Sequence, residues 1–96
     1  MKNIKPIVIS CDFDGVIRDH FTGKPIEGSL RAIKWLESKG REVVISTARE
    51  DLDNVNAWLK KYGFNKTATN KKVRATCYID DRAIRFTTWD DITAYY

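Results

Sequence analysis

Residues 5–11, KPIVISC, form a continuous apolar run rather than an alternating one. A strand that reads this way is covered on both faces, and such strands belong to parallel sheets with helices packed against them. The rest of the chain follows the same constraint. EGSLRAIKWLESKG (27–40) reads as a helix, with Leu30, Ile33 and Leu36 on one face, Ser29 as a cap and Gly40 as a stop. REVVIST (41–47) is a second buried strand. EDLDNVNAWLKKYG (50–63) is a second helix, with Leu52, Val55, Leu59 and Tyr62 on one side and Gly63 at its end. KTAT (66–69) and ATCYID (75–80) read as further short strands, AIRFTTW (83–89) as a short edge strand, and DDITAYY (90–96) as a terminal helical turn. Strand–helix alternation of this kind predicts a three-layer Rossmann-like α/β fold, with a small central parallel sheet flanked by helices. At 96 residues the chain has room for one domain, 1–96.

Right-handed crossovers bring the carboxyl ends of parallel strands to one edge, where ligands bind in sheets of this class. The residues that end the strands therefore matter. The first strand ends in Asp12-Phe13-Asp14-Gly15, the second in Ser46-Thr47-Ala48-Arg49, and the best later one in Asp80-Asp81, with Lys71-Lys72 ahead of it. Alternation turns Phe13 away from the side that Asp12 and Asp14 share. Each strand end also has a plain structural reading. Asp and Gly suit turns, Thr47 can satisfy a backbone group, Arg49 can pair with Glu50 or Asp51, and Lys66 to Arg74 can be a solvated basic face. The three ends taken together favour chemistry. Asp90-Asp91 is an internal control, because it precedes an apolar helical turn and reads as a cap.

Four carboxylates at one edge repel one another unless a hard cation joins them, and Mg²⁺ prefers oxygen ligands. Such an ion also neutralises a bound phosphate. A carboxylate can act as a covalent nucleophile toward phosphorus, and a hydroxyl with a cation can hold the other phosphate oxygens. The strand ends thus point to phosphoryl transfer.

DFDGVI resembles the first motif of the haloacid dehalogenase superfamily of phosphohydrolases, VVISTAR its second, and KKVRATCYIDD its third and fourth. The motifs come in the family's order across residues 7–81. The resemblance implies that Asp12 is the nucleophile and a Mg²⁺ ligand. It makes Asp14 the general acid/base, with its backbone carbonyl on the metal. Thr47 and Lys72, or Lys71 in its place, would hold phosphate. Asp80 would bind Mg²⁺ directly and Asp81 through water. Gly15, Ala48 and Arg49 would line the substrate side. Residues 15–27 match the family's flap, and neither they nor 63–71 are long enough for a cap domain. A capless member has an open site suited to a phosphate on a large body, including nucleic-acid ends, and an oligomer is one way to supply a lid. Thr47-Ala48-Arg49 is also similar to the Ser-Gly-Arg of polynucleotide 3′-phosphatases.

The alternative activities are a phosphomutase of the same superfamily, which would need water excluded, and a non-enzymatic phospho-accepting or binding domain. A receiver domain places its acid pair early, whereas here the pair comes last. The net charge of +4 suits an anionic substrate or nucleic acid as well as simple solubility. The absence of a long apolar run predicts no membrane span and no signal peptide. Cys11 and Cys77 read as reduced core residues of a cytoplasmic protein. His20 reads as an exposed flap residue, and the three Trp as packing residues rather than a base-stacking platform.

Overall fold

The structure is a computed structural model that describes residues 7–95. Its elements run β1 (Val8–Asp12), α1 (Ser29–Ser38), β2 (Glu42–Ser46), α2 (Leu52–Lys61), β3 (Ala68–Thr69), β4 (Cys77–Ile79) and α3 (Trp89–Tyr95). The four strands form one all-parallel sheet in the order β3-β2-β1-β4. This is the expected α/β class, a Rossmann-like parallel sheet flanked by helices. β1 lies in the interior, which is why its sequence is apolar without alternation: Ile9, Ser10 and Cys11 are all buried.

Register fixes the faces. Ile9 lies beside Val43, and Cys11 beside Ile45. Ile33 of α1 and Val55 and Leu59 of α2 close over them to make the core, together with Phe13, Ile17 and Phe64. On the opposite face the Ser10 and Ser46 hydroxyls hydrogen-bond at 3.1 Å, so that buried polar pair is satisfied. Among the described residues no helix is long and apolar enough to cross a membrane.

Several local expectations change. Lys5 and Pro6 of the first predicted strand, and Tyr96 of the last helical turn, lie outside the described residues. Ser29 does not cap α1. Gly28 holds that position at φ 85°, and Ser29 becomes the first helical residue, its buried hydroxyl without a hydrogen-bond partner. A left-handed entry of that kind suits glycine, not serine. Residues 83–88 form no strand, and α3 begins at Trp89. Asp90-Asp91 lies within the first turn of α3, and Thr88 Oγ1 accepts the Asp91 N–H. Cys77, read as a core residue, is exposed, because β4 is the edge strand and all its residues are exposed.

The residues between β1 and α1 fold into a compact flap. Arg18 bridges Asp14 on one side and Pro25 on the other, and Asp19 Oδ1 accepts the N–H groups of Phe21 and Thr22. Those two bonds hold the Asp19 carboxyl below its ordinary range. Ile17 anchors the flap in the core, and the Trp58 indole N–H donates to the Gly23 carbonyl at 2.7 Å. Phe13 joins the flap to α2. It is fully buried, with its ring edge-on to Trp58 at 5.1 Å. Phe13→Ala should cost about 3–5 kcal/mol, a large share of the ~5–15 kcal/mol expected for a domain. The check is a urea or thermal melt followed by circular dichroism. A loss below about 1 kcal/mol would show that Phe13 does not join flap and core.

Candidate active site

β1 delivers Asp12 to the carboxyl edge of the sheet, and the turn that follows delivers Asp14. β2 runs into Thr47 and Arg49, and β4 runs into Asp80 and Asp81. Asp12, Asp14, His20, Thr47, Ala48, Arg49, Asp81 and Arg82 line a cavity of about 340 Å³. One carboxylate oxygen each from Asp12, Asp80 and Asp81 lie within 4.8 Å of one another. The parallel topology has therefore brought together acids more than sixty residues apart in the chain.

The acids are not equivalent. Asp12 has its carboxyl pushed above the ordinary range, first by burial and then by the charges of Asp80, Asp81 and Asp14; the Phe13 N–H, donated to Oδ1 at 3.0 Å, works against that rise. Asp14 meets two arginines at the same oxygen. Arg18 Nη1 is 3.2 Å and Arg49 Nη1 3.5 Å from Oδ1. Arg49 also grips Asp51 through Nε at 2.9 Å and Nη2 at 2.7 Å. That fork raises the guanidinium above its usual value and lowers Asp51, so Arg49 is a fixed cation beside the cavity. Thr47 is buried, and its hydroxyl oxygen accepts the Arg49 N–H at 3.2 Å. Asp80 Oδ1 accepts the Arg82 N–H at 2.8 Å, and His20 Nε2 lies 3.5 Å from Asp81 Oδ2. Behind the site, burial, aided by the Asp12 charge, pushes the Cys11 thiol up to about 11, so it stays protonated and unreactive.

Gly15 makes room for this arrangement. It has φ 84°, and a β-carbon there would collide with Asp81 Oδ2 and His20 Nε2. Gly15→Ala combines left-handed strain of about 1–2 kcal/mol with displacement of an acid. It should lower the melting temperature by roughly 5–10 °C. Unchanged melting would mean that the flap shifts freely and does not define the site.

The site residues expected from the sequence fall into two groups. Asp12, Asp14, Asp80, Asp81, Thr47, Ala48, Arg49 and Gly15 come together. Lys71 and Lys72 are exposed and do not line the cavity. Three participants went unrecognised in the sequence: Arg18, His20 as a neighbour of Asp81, and Arg82. The spacing of Arg18 four residues after Asp14 is a usable signal, because a tight turn returns the chain to its starting acid.

A solved structure described as a conserved protein from Bacteroides thetaiotaomicron matches this chain. The two are 27% identical, the match covers 92% of this chain and 87% of that chain, and the TM-score is 0.71. Comparisons with family models and with curated proteins give no match.

Proposed function

We propose that the protein hydrolyses phosphate monoesters with Mg²⁺, by the covalent route of the haloacid dehalogenase type, through a phosphorylated Asp12. The observation that carries this reading is the clustering of Asp12, Asp80 and Asp81 oxygens beside a cavity that Asp14, Thr47 and Arg49 also line. The donor set is all oxygen and all anionic, which fits a hard divalent cation. Mg²⁺ held by Asp12, Asp80, Asp81 and the Asp14 carbonyl would offset their mutual repulsion and the charge of a bound phosphate.

An Asp12 carboxylate oxygen attacks phosphorus. The bond from phosphorus to the ester oxygen breaks, and Asp14 in its acid form delivers a proton to the leaving alcohol. Asp14 then takes a proton from water as the water oxygen attacks phosphorus. The bond to Asp12 breaks, and inorganic phosphate leaves with both acids restored. Arg18 and Arg49, which meet Asp14 at one oxygen, orient its carboxyl for these transfers. The Thr47 hydroxyl and the Arg49 guanidinium stabilise the phosphate oxygens as charge moves onto them. Lys72, exposed and outside the cavity lining, is given no role in these steps.

The flap is short and the cavity open, which favours an exposed phosphate, whether on a nucleotide, a nucleic-acid end or another large body. Two free cysteines suit a reducing, cytoplasmic setting. The test is phosphate release from a panel of esters with Mg²⁺, including an aryl phosphate and 3′- and 5′-phosphorylated oligonucleotides. Metal-dependent release from at least one is expected. Protein that binds Mg²⁺ yet releases phosphate from none of them would overturn the reading.

A further inference from the structure

The cations around the cavity are unequally engaged. Arg49 is gripped by Asp51 through Nε at 2.9 Å and Nη2 at 2.7 Å, so its charge is already matched. Arg18 lies against Asp14 and does not line the cavity. His20 leans on Asp81. Arg82 lines the cavity too, and among the described residues no hydrogen bond or ion pair takes up its guanidinium. Its backbone is held instead. The Arg82 N–H donates to Asp80 Oδ1 at 2.8 Å, which ties the root of the side chain to the acid that neighbours Asp12 and Asp81. Sheet order sets the side from which it approaches. β1 lies between β2 and β4, so Asp12 has Thr47 and Arg49 on one flank and Arg82 on the other.

We propose that Arg82 is a catalytic residue whose guanidinium grips the oxygens of the transferred phosphate, in the place that motif order gives to Lys72. The inference rests on the phosphatase reading of this cavity and adds a residue to it. A phosphate at this edge needs a cation of its own, because the charge of a bound Mg²⁺ is offset by the carboxylates that hold it. Arg49 can donate an N–H to the phosphate, but to give it an unmatched charge it would have to leave Asp51. Arg82 has no partner to leave. Its planar fork fits two phosphate oxygens at once, which a lysine ammonium does not. Charge grows on those oxygens as Asp12 attacks phosphorus, so a fork aimed at them stabilises the transition state more than the bound ester. Arg82 is exposed, so it meets a phosphate that enters from solvent with its large body still outside. Lys72 is also exposed, but it does not line the cavity.

The test compares wild type, Arg82→Gln, Arg82→Lys and Lys72→Gln by turnover of an aryl phosphate and by calorimetric titration of inorganic phosphate in the presence of Mg²⁺. Arg82→Gln should lower kcat/KM by about a hundred-fold or more and weaken phosphate binding by about ten-fold or more. Arg82→Lys keeps the charge without the fork and should fall between the two. The Arg82 N–H is backbone and survives these changes, so the Asp80 turn and the rise in melting temperature with Mg²⁺ should persist in both Arg82 variants. Equal turnover and equal phosphate affinity in Arg82→Gln overturn the assignment while the phosphatase reading stands. Losses that follow Lys72→Gln instead overturn it as well. So does an Arg82→Gln protein that no longer responds to Mg²⁺, since Arg82 would then act through the acids. A wild type that releases phosphate from no ester fails the phosphatase reading, and the phosphate affinities then decide Arg82 by themselves: equal values, or no binding by either protein, overturn it.

Discussion

Replacing Asp12 with asparagine should reduce phosphate release by at least about a thousand-fold while making the metal-free protein more stable. The first effect follows from chemistry. An amide oxygen does not form the acyl phosphate, and removal of a nucleophile that works as a unit with its acid/base partner costs nearly all of the rate. The second follows from electrostatics. Burial and the neighbouring acids raise the Asp12 carboxyl above its ordinary 3.8 in the folded protein. The folded state therefore holds the proton more tightly than the unfolded state does. Stability falls as pH rises through the window between 3.8 and the raised value, and the penalty persists at neutral pH. Asparagine has no charge to bury. In EDTA at pH 7 the variant should melt above the wild type, and the difference should vanish as the pH falls through that window. The two readouts are separable. Full activity in the variant would remove Asp12 as nucleophile, and lower stability at pH 7 would show that the acids do not repel as the geometry implies.

Much of this site was legible because burial leaves a pattern. Ile9, Cys11, Val43 and Ile45 sit under helices, so the runs containing them are apolar, and the acids that interrupt those runs stand out at the strand ends. The same logic fails where nothing covers the chain. Residues 83–88 have strand-like composition, but they pair with no strand of the sheet. Cys77 is misjudged for the same reason: its run is apolar, but its face is open. The flap is illegible for another reason. Its order comes from the left-handed Gly15, the bridges at Arg18 and the Asp19 turn, which have no period. Hence the approach of His20 to Asp81 emerges only in three dimensions, and the Arg18–Asp14 pair leaves no sequence trace beyond its four-residue spacing. Lys72 illustrates the limit of motif order, since it is exposed and outside the cavity lining. Motif order assigned it a place, but an irregular segment between β3 and β4 sets where its side chain stands.

Divalent metal should be indispensable both to turnover and to the stability of the acidic edge, and the two dependences should share one set of ligands. With EDTA, phosphate release should stop, because Asp12, Asp80 and Asp81 then confront an anionic substrate unscreened. Without substrate, Mg²⁺ at about a hundred times its dissociation constant should stabilise the fold by ~2.7 kcal/mol. For a domain of this size that is a rise in melting temperature of roughly 10–20 °C. Asp80→Asn should weaken this response at least about ten-fold in the Mg²⁺ concentration required, since Asp80 is the acid that β4 presents next to Asp12. Its Oδ1 already accepts the Arg82 N–H, a bond that an asparagine oxygen can keep, so the loop geometry should survive and the loss should reflect charge. Calorimetric titration of Mg²⁺ into the wild type and Asp80→Asn separates the cases. If melting temperature and heat are indifferent to Mg²⁺ in the wild type, Asp12, Asp80 and Asp81 are merely neighbouring acids at the end of a sheet. If the wild type binds and Asp80→Asn binds equally well, the ion sits elsewhere on the chain, and the three strand ends lose the partner that makes their convergence chemical.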